Sequence, residues 1–158
     1  MAEADRQLGI ALIALARSAI GARFGVAALA VVHQSALDRP GATFVTLRVN
    51  DRLRGCVGSL AARRALGKDV RANARAAAFD DPRFAPIEAH EYSALAVEVS
   101  VLSPSTPIVA ASEDDLLAQL RPGVDGISLE CGAGRATLLP QVWDHVSDPR
   151  DFLIALKQ

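Results

Sequence analysis

The chain has 158 residues and a formal net charge of −1, with 51% apolar and only 4% aromatic residues. That length suits one domain able to bury its own core without cross-links, built mainly from Ala, Val, Leu and Ile. The near-neutral balance excludes bulk polyanion binding as the default expectation.

From the N-terminus, Leu8, Ala11, Leu12, Leu15, Ala16 and Ala19 recur at helical spacing, which predicts an amphipathic helix over 4–20 with Gly21 as its stop. Leu8 to Ala16 has the length of a signal-peptide core. Glu3 and Asp5 stand where such a peptide needs positive charge, and Arg17 and Arg23 interrupt the continuation. No uninterrupted apolar run approaches the roughly 20 residues that span a bilayer. A cytoplasmic protein is therefore expected. Residues 24–37 fit a helical turn or a strand, and Arg39-Pro40-Gly41 signals a loop.

A hairpin follows. Val45, Leu47 and Val49 alternate, Asn50-Asp51 supplies the turn, and 52–58 return. A second helix is predicted over 62–78, with Leu66, Val70, Ala74 and Ala77 as its apolar stripe. Arg64, Lys68, Arg71 and Arg75 line its other side. Pro82 ends it. Leu95, Val97, Val99 and Val101 alternate as a strand closed by Ser103-Pro104. Ser112 reads as an N-cap for a short helix through Leu120. Residues 127–131 and 136–139 read as a second hairpin, and a helical tail runs from Pro140 to about Lys157. Hairpins mixed with helices predict an α+β fold with a mixed, largely antiparallel sheet and packed helices. A single domain over 1–158, with room for two lobes, is expected.

The candidate chemistry starts at Leu53-Arg54-Gly55-Cys56-Val57-Gly58-Ser59. On a regular strand Arg54, Cys56 and Gly58 share one face, and Leu53 and Val57 belong to the core. A guanidinium beside a thiol favours the nucleophilic thiolate. Gly55 and Gly58 let a backbone or a small ligand approach. The plainer reading is a small apolar cysteine packed in a strand. Cys131 falls in phase with Ile127 and Leu129 and reads as packing. Two cysteines make no metal or redox motif, and His33, His90 and His145 lack ligand spacing, so no metal is expected.

Glu98 and Ser100 lie opposite the valines of their strand. Glu98 could face Arg54 across a ladder, as a base, an orienting partner or a plain ion pair. Asp81-Pro82-Arg83-Phe84 is either a rigid turn that presents Asp81 and Arg83 to a ligand or a helix stop. A rival site is electrostatic. Residues 48–83 hold nine basic and four acidic residues, which suits a phosphate, a nucleic acid or an acidic partner. An ordinary solvated helix face explains the same pattern. Few aromatics are available for base stacking, so nucleic acid is the weaker fit. Dinucleotide, P-loop, zinc-protease and nucleophile-elbow motifs are absent.

Gly41-Ala42-Thr43-Phe44-Val45-Thr46-Leu47 followed by the Arg54-Gly55-Cys56-Val57-Gly58 core resembles the AMME-syndrome candidate-region family. Its prokaryotic members are known as AmmeMemoRadiSam system protein A. The resemblance continues in order through Asp81-Pro82-Arg83-Phe84, Val97 to Ser103, Gly123 to Ile127 and Leu139 to Trp143. Val57 stands where isoleucine is commoner. The resemblance implies an α+β unit of two lobes, a functional setting beside a Memo-like protein and a radical-SAM protein, and no particular reaction or cofactor. It also implies a further Trp-bearing segment beyond Leu156-Lys157, so one wall of a pocket is expected to be missing here or supplied by a partner. Two functions follow as expectations. One is an enzyme or enzyme component with Cys56 as the reactive thiol, Arg54 as its support and Glu98 as proton acceptor or orienting group. The other is a non-catalytic scaffold that docks an acidic partner or nucleic acid through its basic helix.

Overall fold

The structure is a computed structural model that describes residues 3–132 and 134–157. It is α+β and divides into two compact units, 1–105 and 106–158.

In the first unit, α1 (Glu3–Gly21) leads through irregular chain to β1 (Pro40–Val49), β2 (Arg52–Gly58), β3 (Arg64–Ala65), α2 (Leu66–Phe79) and β4 (Leu95–Leu102). Strand β1 is central. It pairs antiparallel with β2, with β4 and, at its first residues, with β3. Thr43, Val45 and Leu47 are fully buried on the face that meets the helices, while Phe44, Thr46 and Arg48 point the other way and stay at least partly accessible. Burying Val45 and Leu47 stabilises the fold by about 1.5–3 kcal/mol each. Their core partners are Leu12, Leu15, Ala16 and Ile20 of α1 and Leu66, Val70, Ala74 and Ala77 of α2. The stretch Glu3–Phe24 is long and apolar enough to cross a membrane by length and composition alone. Leu12, Leu15, Ala16 and Ile20 of that stretch face the core.

Three boundaries differ from the sequence reading. Gly21 is still helical and buried; a short 3-10 turn continues to Gly25, whose φ of 72° makes the stop. A side chain at Gly25 would be strained there. The second helix starts at Leu66 instead of 62, because Arg64 and Ala65 pair with Gly41 and Pro40, and the Leu66 N–H donates to Arg39 O at 2.9 Å. Residues 24–37 are mostly irregular, with a 3-10 turn at Ser35–Asp38.

In the second unit, α3 (Glu113–Gln119) begins at Ser112, whose Oγ accepts from the Asp115 N–H at 3.2 Å. Strands β5 (Ile127–Cys131) and β6 (Gly134–Leu138) form an antiparallel hairpin. The helical tail is broken into a 3-10 turn, Pro140–Asp144, and α4 (Pro149–Leu156). Asp148 caps α4 through a 2.7 Å bond from the Arg150 N–H, and Pro149 occupies the first turn, where no N–H is needed. Leu120, Ile127, Trp143, Phe152, Leu153 and Leu156 make this unit's own core.

Candidate functional site

The β1–β2 hairpin turns through Asn50 and Asp51, both at positive φ (49° and 61°), as a tight two-residue turn of this hand requires. From there Val49 pairs with Arg52 and Arg48 with Leu53. One step on, Leu47 pairs with Gly55. Arg54 is the extra residue of a β-bulge. The bulge resets the phase of everything after it. Val57 joins the core, as expected. Leu53 does not, because it stands opposite Arg48 on the outer face.

The bulge also sends Arg54 away from Cys56. Its Nε and Nη2 make a bidentate pair with Glu91 at 2.8 and 2.9 Å, and Nη1 donates to Ala85 O at 3.1 Å. The Arg54 guanidinium holds the Glu91 carboxyl down to about 2. Glu91 is itself fixed by a reciprocal capping box with Glu88. The expected side-by-side arrangement of the Arg54 guanidinium and the Cys56 thiol is therefore not present. An open concavity at the hairpin tip is lined by Val49, Asn50, Arg52, Arg54 and Glu91, without Cys56 or Glu98.

Cys56 stands opposite Thr46, and Thr46 stands opposite Glu98 on β4. The three side chains form one row across the outer face of the sheet. Cys56 Sγ lies 3.3 Å from Thr46 Oγ1. Cys56 is half-buried and Glu98 exposed. Two strand spacings separate Cys56 from Glu98, about 10 Å along the row. Glu98 thus meets Thr46 in register rather than Arg54, and it reaches the thiol only through something placed between them. Ser100, Phe44 and Gly58 form the next row.

Asp81 and Arg83 serve the backbone of Cys56. Its N–H donates to Asp81 Oδ2 at 2.9 Å, and its C=O accepts from Arg83 Nη2 at 3.1 Å. Asp81 also accepts from Arg83 Nε and Nη2, at 3.0 and 2.8 Å. Asp81 is 5% exposed, and Arg83 with its other hydrogen bonds holds its carboxyl well below the usual carboxylate range. The Asp81-Pro82-Arg83 turn thus satisfies the open edge of β2 at Cys56, as a neighbouring strand would. The guanidinium that bears on Cys56 is Arg83's.

The two glycines have different reasons. A Cβ on Gly55 would lie 2.0 Å from the Ala77 carbonyl oxygen of α2, so Gly55 lets the helix pack against the strand. A Cβ on Gly58 would meet the Phe44 ring at 2.2 Å. Phe44 covers Gly58 on the outer face.

Beneath the sheet lies a buried polar network that the sequence reading did not anticipate. Asp69 Oδ2 accepts from the Thr43 N–H and Oγ1 at 2.8 and 2.7 Å. Its Oδ1 accepts from Ser59 Oγ at 2.9 Å and Arg64 Nε at 2.7 Å. Asn73 Nδ2 donates to Thr43 O at 2.9 Å. Burial pushes the Asp69 carboxyl up, but the bonds from Thr43, Arg64 and Ser59 outweigh it, and its pKa is lowered. Asp69 and Asn73 lie four apart on the buried side of α2, in phase with Val70 and Ala74. That polar pair inside an apolar stripe was the available signal. Arg64 leaves the basic face for this network. Lys68, Arg71 and Arg75 remain exposed, without a hydrogen-bond or ion-pair partner among the described residues.

The AMMECR1 family pattern matches residues 13–158. Protein LS215_2104 of Saccharolobus islandicus is 36% identical over 159 residues, covering 96% of this chain and 70% of that one. A protein of Methanothermobacter thermautotrophicus is 42% identical over 106 residues, covering 64% of this chain and 55% of its own. The crystal structure of the uncharacterized protein PH0010 from Pyrococcus horikoshii superimposes with a TM-score of 0.83 at 32% identity, covering 94% of this chain and 77% of that one. The order of motifs, the α+β fold and a match over most of its length show that this chain belongs to the AMMECR1 family.

Proposed function

We propose that the protein is a cytoplasmic enzyme or enzyme component that works through the outer face of its first sheet, with Cys56 as the thiol that engages the substrate. The observation that carries this reading is the Cys56–Thr46–Glu98 row. A thiol, a hydroxyl and a carboxylate stand in register on an accessible face, and the backbone of the thiol residue is clamped on its other side by Asp81 and Arg83. Thr46 Oγ1 orients the Sγ and exchanges its proton with it. Glu98, about 10 Å away, orients a substrate lying along the row and accepts a proton through it. Arg83 fixes the strand and brings positive charge to it, and Arg54 braces the hairpin through Glu91. Ser100 in one neighbouring row and Arg48 in the other are further polar residues of the face.

Alkylation of the folded protein with iodoacetamide, read by peptide mass spectrometry, tests this. Cys56 labels faster than the more exposed Cys131, and Thr46→Val slows it. A Cys56 that reacts no faster than a model thiol between about pH 6 and 8 removes the nucleophile.

A second reading rests on a separate observation, the exposed Lys68, Arg71 and Arg75, which have no hydrogen-bond or ion-pair partner among the described residues. They suit an acidic surface on a partner protein, for which the resemblance offers the Memo-like and radical-SAM proteins. Charge reversal at Lys68 and Arg71 would abolish such docking. Binding that ignores both these changes and added salt would remove this reading.

A further inference from the structure

We infer that the outer edge of β4 pairs with the β4 of a second copy of this chain, so that two first-unit sheets join into one. This rests on the edge of the sheet and not on the thiol reading.

The phase of the ladder is fixed by Cys56. Its N–H and C=O point to Asp81 and Arg83, away from β1. Thr46, opposite it, therefore turns its backbone groups toward β4, where it pairs with Glu98. Along β4 the odd residues Val97, Val99 and Val101 then turn their N–H and C=O groups outward. No described residue bonds to those groups, whereas Leu95 O, at the start of the same edge, is taken by Arg17 Nη1. Beside Asp81-Arg83 on the β2 side, the contrast is plain. Among the described residues, the β2 edge has its backbone groups bonded at Cys56, and the β4 edge has none bonded at Val97, Val99 or Val101. The open edge carries neither proline nor lysine, two of the usual guards against pairing.

A second observation points to the same occupant. Ile10 and Ile13 are 53% and 39% exposed on α1. They lie seven and four residues before Arg17, on the same side of the helix. Arg17 is the residue whose guanidinium reaches Leu95 O and Tyr92 O. The exposed apolar stripe of α1 is thus on the side that serves the β4 edge. A two-fold axis perpendicular to the sheet at Val99 would keep both copies' helices on one face and bring these stripes together.

The edge is self-complementary in that register. Val99 pairs with Val99 of the second copy, Val97 with its Val101, and Glu98 lies opposite its Ser100. A register centred on Glu98 would set two carboxylates opposite each other, which is destabilising. The interface is isologous and closes at two copies.

Sedimentation of the full chain over a concentration series, with amide hydrogen exchange on the same samples, tests the proposal. A dimer is expected, and the Val97, Val99 and Val101 amides gain protection as concentration rises. Val101→Pro removes an outward donor without touching a β1–β4 bond, and Ile13→Lys places charge on the α1 stripe. Each raises the dimer dissociation constant at least about tenfold. Ile13→Lys carries the test alone if Val101→Pro fails to fold. A chain that stays monomeric up to about 100 μM, or a dimer whose odd β4 amides exchange as freely as in the monomer, overturns the proposal.

Discussion

The backbone amide of Cys56 donates to the Asp81 carboxylate at 2.9 Å, across 25 residues of sequence. This bond gives the Asp-Pro-Arg-Phe turn a structural task. Its acid and its base both bond the backbone of Cys56. They close the hydrogen-bonding groups of an edge strand at the one residue whose side chain carries the candidate chemistry. Asp81 is buried and holds both the strand and Arg83, whereas the Arg83 side chain is 56% exposed. Asp81→Ala therefore costs about 2–3 kcal/mol, because it strands the Cys56 N–H and removes a charged acceptor. Arg83→Ala costs less, about 1 kcal/mol, because water replaces much of what it gives. Urea unfolding midpoints of the two variants check the order.

The glycines separate a packing requirement from an approach requirement. At Gly55 the obstacle is the Ala77 carbonyl, which belongs to a helix backbone and moves only with the helix. Gly55→Ala is expected to cost about 3 kcal/mol and to push α2 off the strand. At Gly58 the obstacle is the Phe44 ring, a side chain that can rotate away. Gly58→Ala costs less but uncovers the outer face beside Cys56. Denaturation of each variant gives the first comparison, and the alkylation rate of Cys56 gives the second.

Much of the first unit was legible in the sequence. Alternation in Val45-Leu47-Val49 and in Leu95-Val97-Val99 places those strands, because one buried face imposes period two. The family blocks and the α+β class were equally plain. What the sequence did not show was the bulge at Arg54. A single extra residue leaves the composition of the strand unchanged, yet it swings Arg54 to Glu91 and places Cys56 opposite Thr46. Glu91 gave no sign of its partner, since a capping-box glutamate looks the same with or without an arginine across from it. The start of α2 was misplaced for a related reason: Arg64 has ordinary helix propensity, and only its pairing with Gly41 and its bond to Asp69 hold it in a strand.

The Arg54–Glu91 pair makes a pH prediction. The folded-state pKa of Glu91 is depressed from 4.5 to about 2, chiefly by its bonds to Arg54. A depressed carboxylate contributes stability that is fully present above its unfolded pKa and is lost as pH falls through the folded one. The contribution of Glu91 should therefore hold above about pH 4.5 and fade toward pH 2. Asp81 and Asp69 act in the same direction, so the wild-type curve alone does not isolate it. The difference between wild type and Glu91→Gln does. That difference is constant above about pH 5 and shrinks below it when unfolding is followed by urea titration at each pH.

Asp69 is the member of the buried network whose loss matters most. It is 1% exposed and serves Thr43, Ser59 and Arg64 together. Asp69→Ala leaves the Thr43 N–H and hydroxyl without their acceptor and the Arg64 guanidinium without its counter-charge. The expected cost is about 3 kcal/mol, because two Thr43 donors are stranded, while Arg64, 43% exposed, recovers water. Asn73→Ala keeps the carboxylate in place and costs less, about 1–3 kcal/mol. Since Ser59 is shared by both and directly follows Gly58, the last residue of β2, either change should also raise the hydrogen-exchange rate at the end of that strand.

The second unit can be read separately, because it holds the chain's single tryptophan. Trp143 stacks on Phe152 with ring centroids 3.9 Å apart and an interplanar angle of 11°, and its Nε1 donates to Asp125 O at 2.7 Å. Phe152 is fully buried and sits at the centre of that core. Phe152→Ala removes the stacking surface and opens a cavity, for a cost of about 3–5 kcal/mol. Trp143→Phe keeps an aromatic face and loses the hydrogen bond, for about 1–2 kcal/mol. Tryptophan fluorescence of Phe152→Ala should shift its unfolding to lower urea, while far-ultraviolet circular dichroism, dominated by α1 and α2, keeps a later transition. Coincident transitions by the two probes in that variant would mean that the units unfold as one.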